Sequence, residues 1–293
     1  MNAKQKKYLN IATLLILAIF AVFYLKNHTN LFSEFSKIPI YIFIVILLLN
    51  FLQLIAISRV FISVLHLNKI KLTFKTSLIL NSNSLVLNFF MPGQAGPVYR
   101  GYYLKEKHNL KVLDYTISTI VYYAVYGAVA VCLLMFGIFP VLPAVLSTVL
   151  ILISGYLLTL RYLHNITGKR LFVSGKILIN LISNTVLQLF LAAIIYFIEI
   201  HFIKHGVKIR EVLSYTAVAA LSLFVSLTPA GIGIREAFLI FSEKLTNLNT
   251  NQVVLASLVD RSIYIIYLCF IGLYYIYQKI NNKMIISPDI AKK

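Results

Sequence analysis

Acidic residues are scarce in this chain, with nine Asp and Glu against 27 Lys and Arg in 293 residues. A net charge of +18 would suit a nucleic-acid partner if the basic side chains formed a continuous stripe. They do not. They fall in short loops between apolar runs, so no nucleic acid is expected and the charge is read as topology. Trp is absent, which leaves the 19 Tyr as the expected interfacial anchors. Only two Cys occur, Cys132 and Cys269, both inside apolar runs, and neither a disulfide nor a metal site is indicated. His201 and His205 have i, i+4 spacing beside Glu199 but lack a third ligand, so no metal is expected there. No P-loop, HExxH, G-x-S-x-G or dinucleotide fingerprint is present, and no cofactor or catalytic residue is expected. The apolar runs leave little room for a soluble domain.

What is present is hydrophobicity. Sixty per cent of residues are apolar, and runs of about 18 or more recur, enough to cross a bilayer. The sequence predicts an all-α polytopic membrane protein forming one integral domain. Six full spans are expected, over Tyr8–Leu25, Ile38–Ile57, Leu113–Met135, Ala144–Leu160, Ile177–Ile200 and Gln252–Tyr277. The first lacks a small-x-small cleavage site and is expected to be retained. Two shorter apolar segments, Thr76–Met91 and Val212–Leu227, end in Pro/Gly breaks and are expected to be broken or re-entrant helices.

With the N-terminus inside, the inner segments carry 19 Lys and Arg and the outer segments seven, while Arg261 falls within a span. That bias predicts both termini on the cytoplasmic side of the plasma membrane, with 279–293 as a tail. Corresponding spans begin at Ile38 and Ile177, 139 residues apart, and Pro92 and Pro229 are 137 apart. The unit of span, broken helix and span therefore occurs twice, over about 38–137 and 177–278, starting from opposite sides. Matched interruptions in such an inverted repeat point to a substrate site near the midplane.

The breaks read "NFFMPGQAGPVYR" from Asn88 and "SLTPAGIGIRE" from Ser226. Pro92 and Pro229 cannot continue a helix, while Gly93, Gly96, Gly231 and Gly233 permit a tight turn. A helix starting after each break would turn unpaired N–H groups toward an anion. Arg100 and Arg235 follow, and guanidinium binds phosphate oxygens two at a time. The plain alternative is two ordinary loops with anchoring arginines. Glu236, Asp260 and Arg261 are the other notable charges, with Asp260 placed to pair with Arg235 and Arg261 with Glu236. These pairs could brace the second break or meet substrate. Asn180, Asn184 and Gln188 form a polar stripe, and Asn50 and Gln53 do the same in the matching span. These could line a wet path or bond helix to helix.

The two motifs together resemble the flippase-type transmembrane region of lysylphosphatidylglycerol synthases. The first, "PG…G…R", is met by Pro92, Gly93, Gly96 and Arg100. The second, "TPGGiGvrE" followed by an acidic–Arg pair, is met by Thr228, Pro229, Gly231, Gly233, Arg235, Glu236 and Asp260-Arg261, with Ala230 in place of a Gly. A corresponding acidic–Arg pair expected near Val121-Tyr122-Tyr123 is missing. The resemblance implies a stand-alone member without the soluble synthase domain, moving a phosphate-bearing lipid between leaflets. It leaves the lipid open between phospholipids and polyprenyl-phosphate-linked ones. The alternative is a lipid-modifying transferase or its membrane subunit. A membrane lipid, a partner enzyme of lipid or glycolipid synthesis and a second copy of the chain are the implied partners. The candidate substrate site comprises these motif residues and Asn88, and Arg235→Ala is expected to stop transport in a folded protein.

Overall fold

The computed structural model describes residues 38–90, 95–158, 174–225, 231 and 233–280. Among these residues the chain is all-helical. The helices are α1 (Ile40–His66), α2 (Phe74–Phe90), α3 (Ala95–His108), α4 (Val112–Ile138), α5 (Val141–Leu158), α6 (Gly175–Ile203), α7 (Ile209–Ser222), α8 (Ile234–Phe241), α9 (Glu243–Thr246) and α10 (Thr250–Ile280). Helices α1, α4 and α6, and α10 over Thr250–Tyr274, are long and apolar enough to cross a membrane. The span expected from Ala144 falls on α5, whose described apolar part is shorter. The span Tyr8–Leu25 lies outside the described residues, as do Pro92, Gly93, Thr228 and Pro229.

Unlike in a water-soluble bundle, the outward faces are apolar too. On α1, Ile42, Ile46, Leu54, Phe61 and Leu65 turn inward, and so do Asn50, Ser58 and Ser63. The outward face is Ile40, Tyr41, Ile44, Leu48 and Leu52, all exposed. A helix apolar all round belongs in lipid, where the inward face is free to carry the polar residues. Helix α2 takes this further, burying Ser77, Asn81, Ser82 and Ser84. Asn81, Ser82 and Ser84 each donate to the carbonyl four residues back, at 2.7–2.8 Å, which satisfies them without water. Ser77 instead donates to the Ser58 carbonyl of α1 at 2.8 Å, a close approach that small residues allow.

The same order of elements occurs twice: long helix, short helix, break, short helix, long helix. The packing repeats as well. Helices α1 and α6 pack on each other. Helix α1 packs on α2 as α6 packs on α7, and α2 on α3 as α7 on α8. The first short helix of each half also crosses to the other half, α2 onto α10 and α7 onto α4. Exchanging the halves therefore maps these contacts onto one another, leaving α5 and α9 as additions. The α4–α7 crossing is tight at Gly137, where an added Cβ would lie 2.9 Å from the Ser214 nitrogen and 3.1 Å from the Arg210 carbonyl.

The second broken helix stops earlier than the expected Leu227. After Ser222 the N–H groups of Leu223, Phe224 and Val225 each reach back only three residues, so the chain tightens into turns before Pro229. Beyond the break, Gly231 and Gly233 have φ of +68° and +84°, a region an L side chain avoids. Helix α9, which the sequence does not signal, is closed by Asn247 in the left-handed region.

Candidate functional site

Both halves contribute described residues to one chamber. It has a volume of about 330 Å³ and receives side chains from α1, α2, α3, α4, α6, α8 and α10. Arg100 and Arg235, one from each half, both line it, as do Asn88, Gly231, Asp260 and Arg261. From the facing spans come Asn50, Gln53 and Gln188.

The arginines differ in what holds them. Arg235 is 8% exposed and donates from Nη1 to Asp260 Oδ2 at 2.6 Å, with its guanidinium 5.2 Å from the Tyr196 ring centre. Arg261 reaches Glu236 Oε1 at 3.4 Å. Both pairings anticipated from the sequence form. Arg100 donates from Nη1 to Asn81 Oδ1 at 2.7 Å and lies 4.9 Å from the Phe61 ring centre. Among the described residues no carboxylate stands within ion-pair distance of it. The position where the acidic–Arg pair was missed is filled by Tyr122 and Tyr123, which line the chamber.

Several guanidinium nitrogens have no acceptor among the described residues. They are Arg100 Nε, Arg235 Nε and Nη2, and Arg261 Nε, all buried. A buried donor without a partner costs about 1–3 kcal/mol. Four such donors, on three arginines lining one chamber, are a strong attractor for oxygen acceptors.

Gly96 sets the contact between α2 and α3 beside the chamber. Gly96 N–H donates to Asn88 Oδ1 at 2.7 Å, and Ser84 Oγ donates to the Gly96 carbonyl at 3.2 Å. A Cβ on Gly96 would lie 2.6 Å from the Ser84 carbonyl oxygen and 2.8 Å from Asn88 Oδ1. Gly96→Ala should therefore push α3 off α2 and destabilise the protein by about 1–3 kcal/mol. A thermal unfolding midpoint in detergent checks this, and an unchanged midpoint would contradict it. Glu236 sits behind the chamber as a brace. It accepts from Gly233 N–H at 2.7 Å and from Ser257 Oγ at 2.5 Å, as well as from Arg261. One N–H in the first turn of α3 and the N–H just before α8 thus meet this chain's own side chains.

Two expectations change. Tyr115, Tyr122, Tyr123, Tyr126, Tyr196 and Tyr264 line the chamber, so interfacial anchoring is not the role of these six. A phenol in an apolar interior needs a hydroxyl partner, and the chamber provides one where Tyr122 bonds Gln188 Oε1 at 3.3 Å. The stripe Asn180–Asn184–Gln188 also divides. Gln188 is buried at the chamber, whereas Asn180 is exposed and accepts from the Asn184 amide at its own carbonyl. His201 and His205 are exposed while Glu199 is buried. Asn81 and Ser84 escaped the sequence reading, although the run "NSNS" inside an apolar segment marks them.

An all-helical membrane-spanning bundle around a polar, arginine-lined interior defines a polytopic membrane protein with a solute- or head-group-sized chamber. The chain belongs to the family described as the lysylphosphatidylglycerol synthase TM region, whose model matches residues 9–272. Among curated proteins no sequence matches it.

Proposed function

We propose that this protein translocates a phosphate-bearing lipid, a phospholipid or a polyprenyl-phosphate-linked one, between membrane leaflets. The observation that carries the proposal is the set of four unpartnered guanidinium nitrogens in one chamber. Phosphate is the common membrane group that offers several anionic oxygens to such donors. Arg100 is the principal anchor, because no described carboxylate neutralises it. Arg235 contributes Nε and Nη2 while Nη1 holds Asp260. Asn50, Gln188 and the tyrosines accommodate the hydroxyls of the head group, and the acyl or prenyl chains stay against the exposed apolar faces.

The exchange of contacts between halves supports an inverted repeat around a fixed central site, as alternating access requires. The charge bias supports cytoplasmic termini in the plasma membrane. Family membership supports a lipid-related role.

The test is leaflet exchange in proteoliposomes, using head-group-labelled phosphatidylglycerol, its lysyl ester and a short polyprenyl phosphate. Accelerated exchange of one of them, with or without a proton gradient, is the expected result. No acceleration under either condition, together with product formation from lipid and an activated donor, would replace this reading with the transferase one.

A further inference from the structure

Glu199 plays no part in the chamber's anion binding as described so far. It lies on α6, 2% exposed, and neither carboxylate oxygen has a hydrogen-bond donor among the described residues. Arg235 of α8 and Asp260 of α10 are within electrostatic range of it. Tyr196, one turn earlier on α6, and Tyr215 of α7 are the other described titratable groups that face it. The Tyr215 hydroxyl is also without a partner. His201, two residues on, is exposed.

Charge bookkeeping around the chamber is simple. Arg100, Arg235 and Arg261 are three cations. Asp260 and Glu236 each hold one of them in an ion pair. Glu199 is the third carboxylate and has no ion pair among the described residues. With Glu199 ionised the cluster is neutral, and with Glu199 protonated it carries one positive charge. An incoming monoanion is favoured by the second state. Among these carboxylates Glu199 gives up least on gaining a proton, because it loses neither an ion pair nor a hydrogen bond.

We propose that Glu199 is a proton-binding site linked to the chamber, so that a proton on Glu199 and a phosphate monoanion at the arginines bind cooperatively. The inference rests on the phosphate-lipid reading above. The step balances: one H⁺ from water forms the O–H bond of the Glu199 carboxyl as one negative head group enters, and both leave together. Lipid movement in either direction is then accompanied by proton movement, and a proton gradient can drive it. By linkage, anion affinity is highest with Glu199 protonated and falls as pH rises through its titration, by at most about tenfold per pH unit for one proton.

The probe is short-chain phosphatidylglycerol, a phosphodiester with no titration of its own near neutrality, bound to the purified full-length protein across a pH series. Wild type should weaken with rising pH, and a dye in weak buffer should report uptake of up to about one proton per lipid. Glu199→Gln should bind with the low-pH affinity at every pH and take up no proton, while Glu199→Asp should keep a pH dependence. A flat wild-type profile, or an equal slope in Glu199→Gln, overturns the proposal. An infrared pH-difference spectrum separates this failure from that of the lipid reading. A protonated-carboxyl band lost in Glu199→Gln, without lipid binding in either protein, would keep the proton site and discard the phosphate-lipid function. Absence of that band in wild type would discard the proton site itself.

Discussion

Arg100→Ala should lose lipid exchange by roughly ten- to a hundredfold while remaining folded. The range follows from a charge-assisted hydrogen bond being worth about 1.5–3 kcal/mol. The variant should fold because Arg100 has light structural duties. It bonds Asn81 and covers Phe61, and no described carboxylate depends on it for charge balance. Asn81 keeps a bond from its amide nitrogen to the Ser77 carbonyl when the arginine is gone. Arg100→Lys should recover part of the rate, since it restores the charge without the forked donors. Exchange rates beside unfolding midpoints measure this. An Arg100→Ala protein exchanging at the wild-type rate would remove the anchor from the mechanism.

Arg235→Ala should instead be the most destabilising change in the chamber. The sequence alone led to the expectation of a folded, inactive protein. The ion pair changes that expectation, because removing Arg235 strands Asp260 and leaves Glu199 beside a second carboxylate without a cation. Breaking a buried pair on one side costs about 3–5 kcal/mol. Asp260→Asn should cost less than Arg235→Ala, since it leaves a cation still facing Glu199. The double variant Arg235→Gln/Asp260→Asn should recover a large part of the loss, because two neutral amides can bond where two charges did. Thermal midpoints of the three proteins in the same detergent decide this. Additive losses in the double variant would show that the two side chains do not act as a pair.

Much of this was legible in the sequence because the membrane restricts what a chain can do. Four apolar spans, the two interruptions and the arginines behind them follow from hydropathy and from proline and glycine chemistry. The pairings Arg235–Asp260 and Arg261–Glu236 were legible too, since charges within spans must find partners. The meeting of the two halves at one chamber was not. It depends on α2 crossing to α10 and α7 to α4, which spacing along one chain does not encode. Nor was the tyrosine lining visible. A tyrosine in an apolar run reads the same at an interface and at an interior wall, and only the hydroxyl's partner, such as Gln188 for Tyr122, separates them. The setting of Glu199 was hidden for a related reason. Its histidine neighbours in sequence face outward, while its neighbours in space come from α7, α8 and α10.

The central claim is that the chamber is the path of the lipid head, and it can be tested by blocking it. Gln53 lines the chamber and bonds the Gln188 carbonyl only at 3.5 Å, so it tolerates replacement. In a Cys269→Ser background, which removes the exposed native thiol, Gln53→Cys would be labelled with a bulky methanethiosulfonate after reconstitution. Phe190→Cys, on the exposed face of α6, is the control. The account predicts that labelling Gln53→Cys stops leaflet exchange, that reduction of the adduct restores it, and that labelling Phe190→Cys changes nothing. Undiminished exchange with Gln53→Cys fully labelled would contradict it.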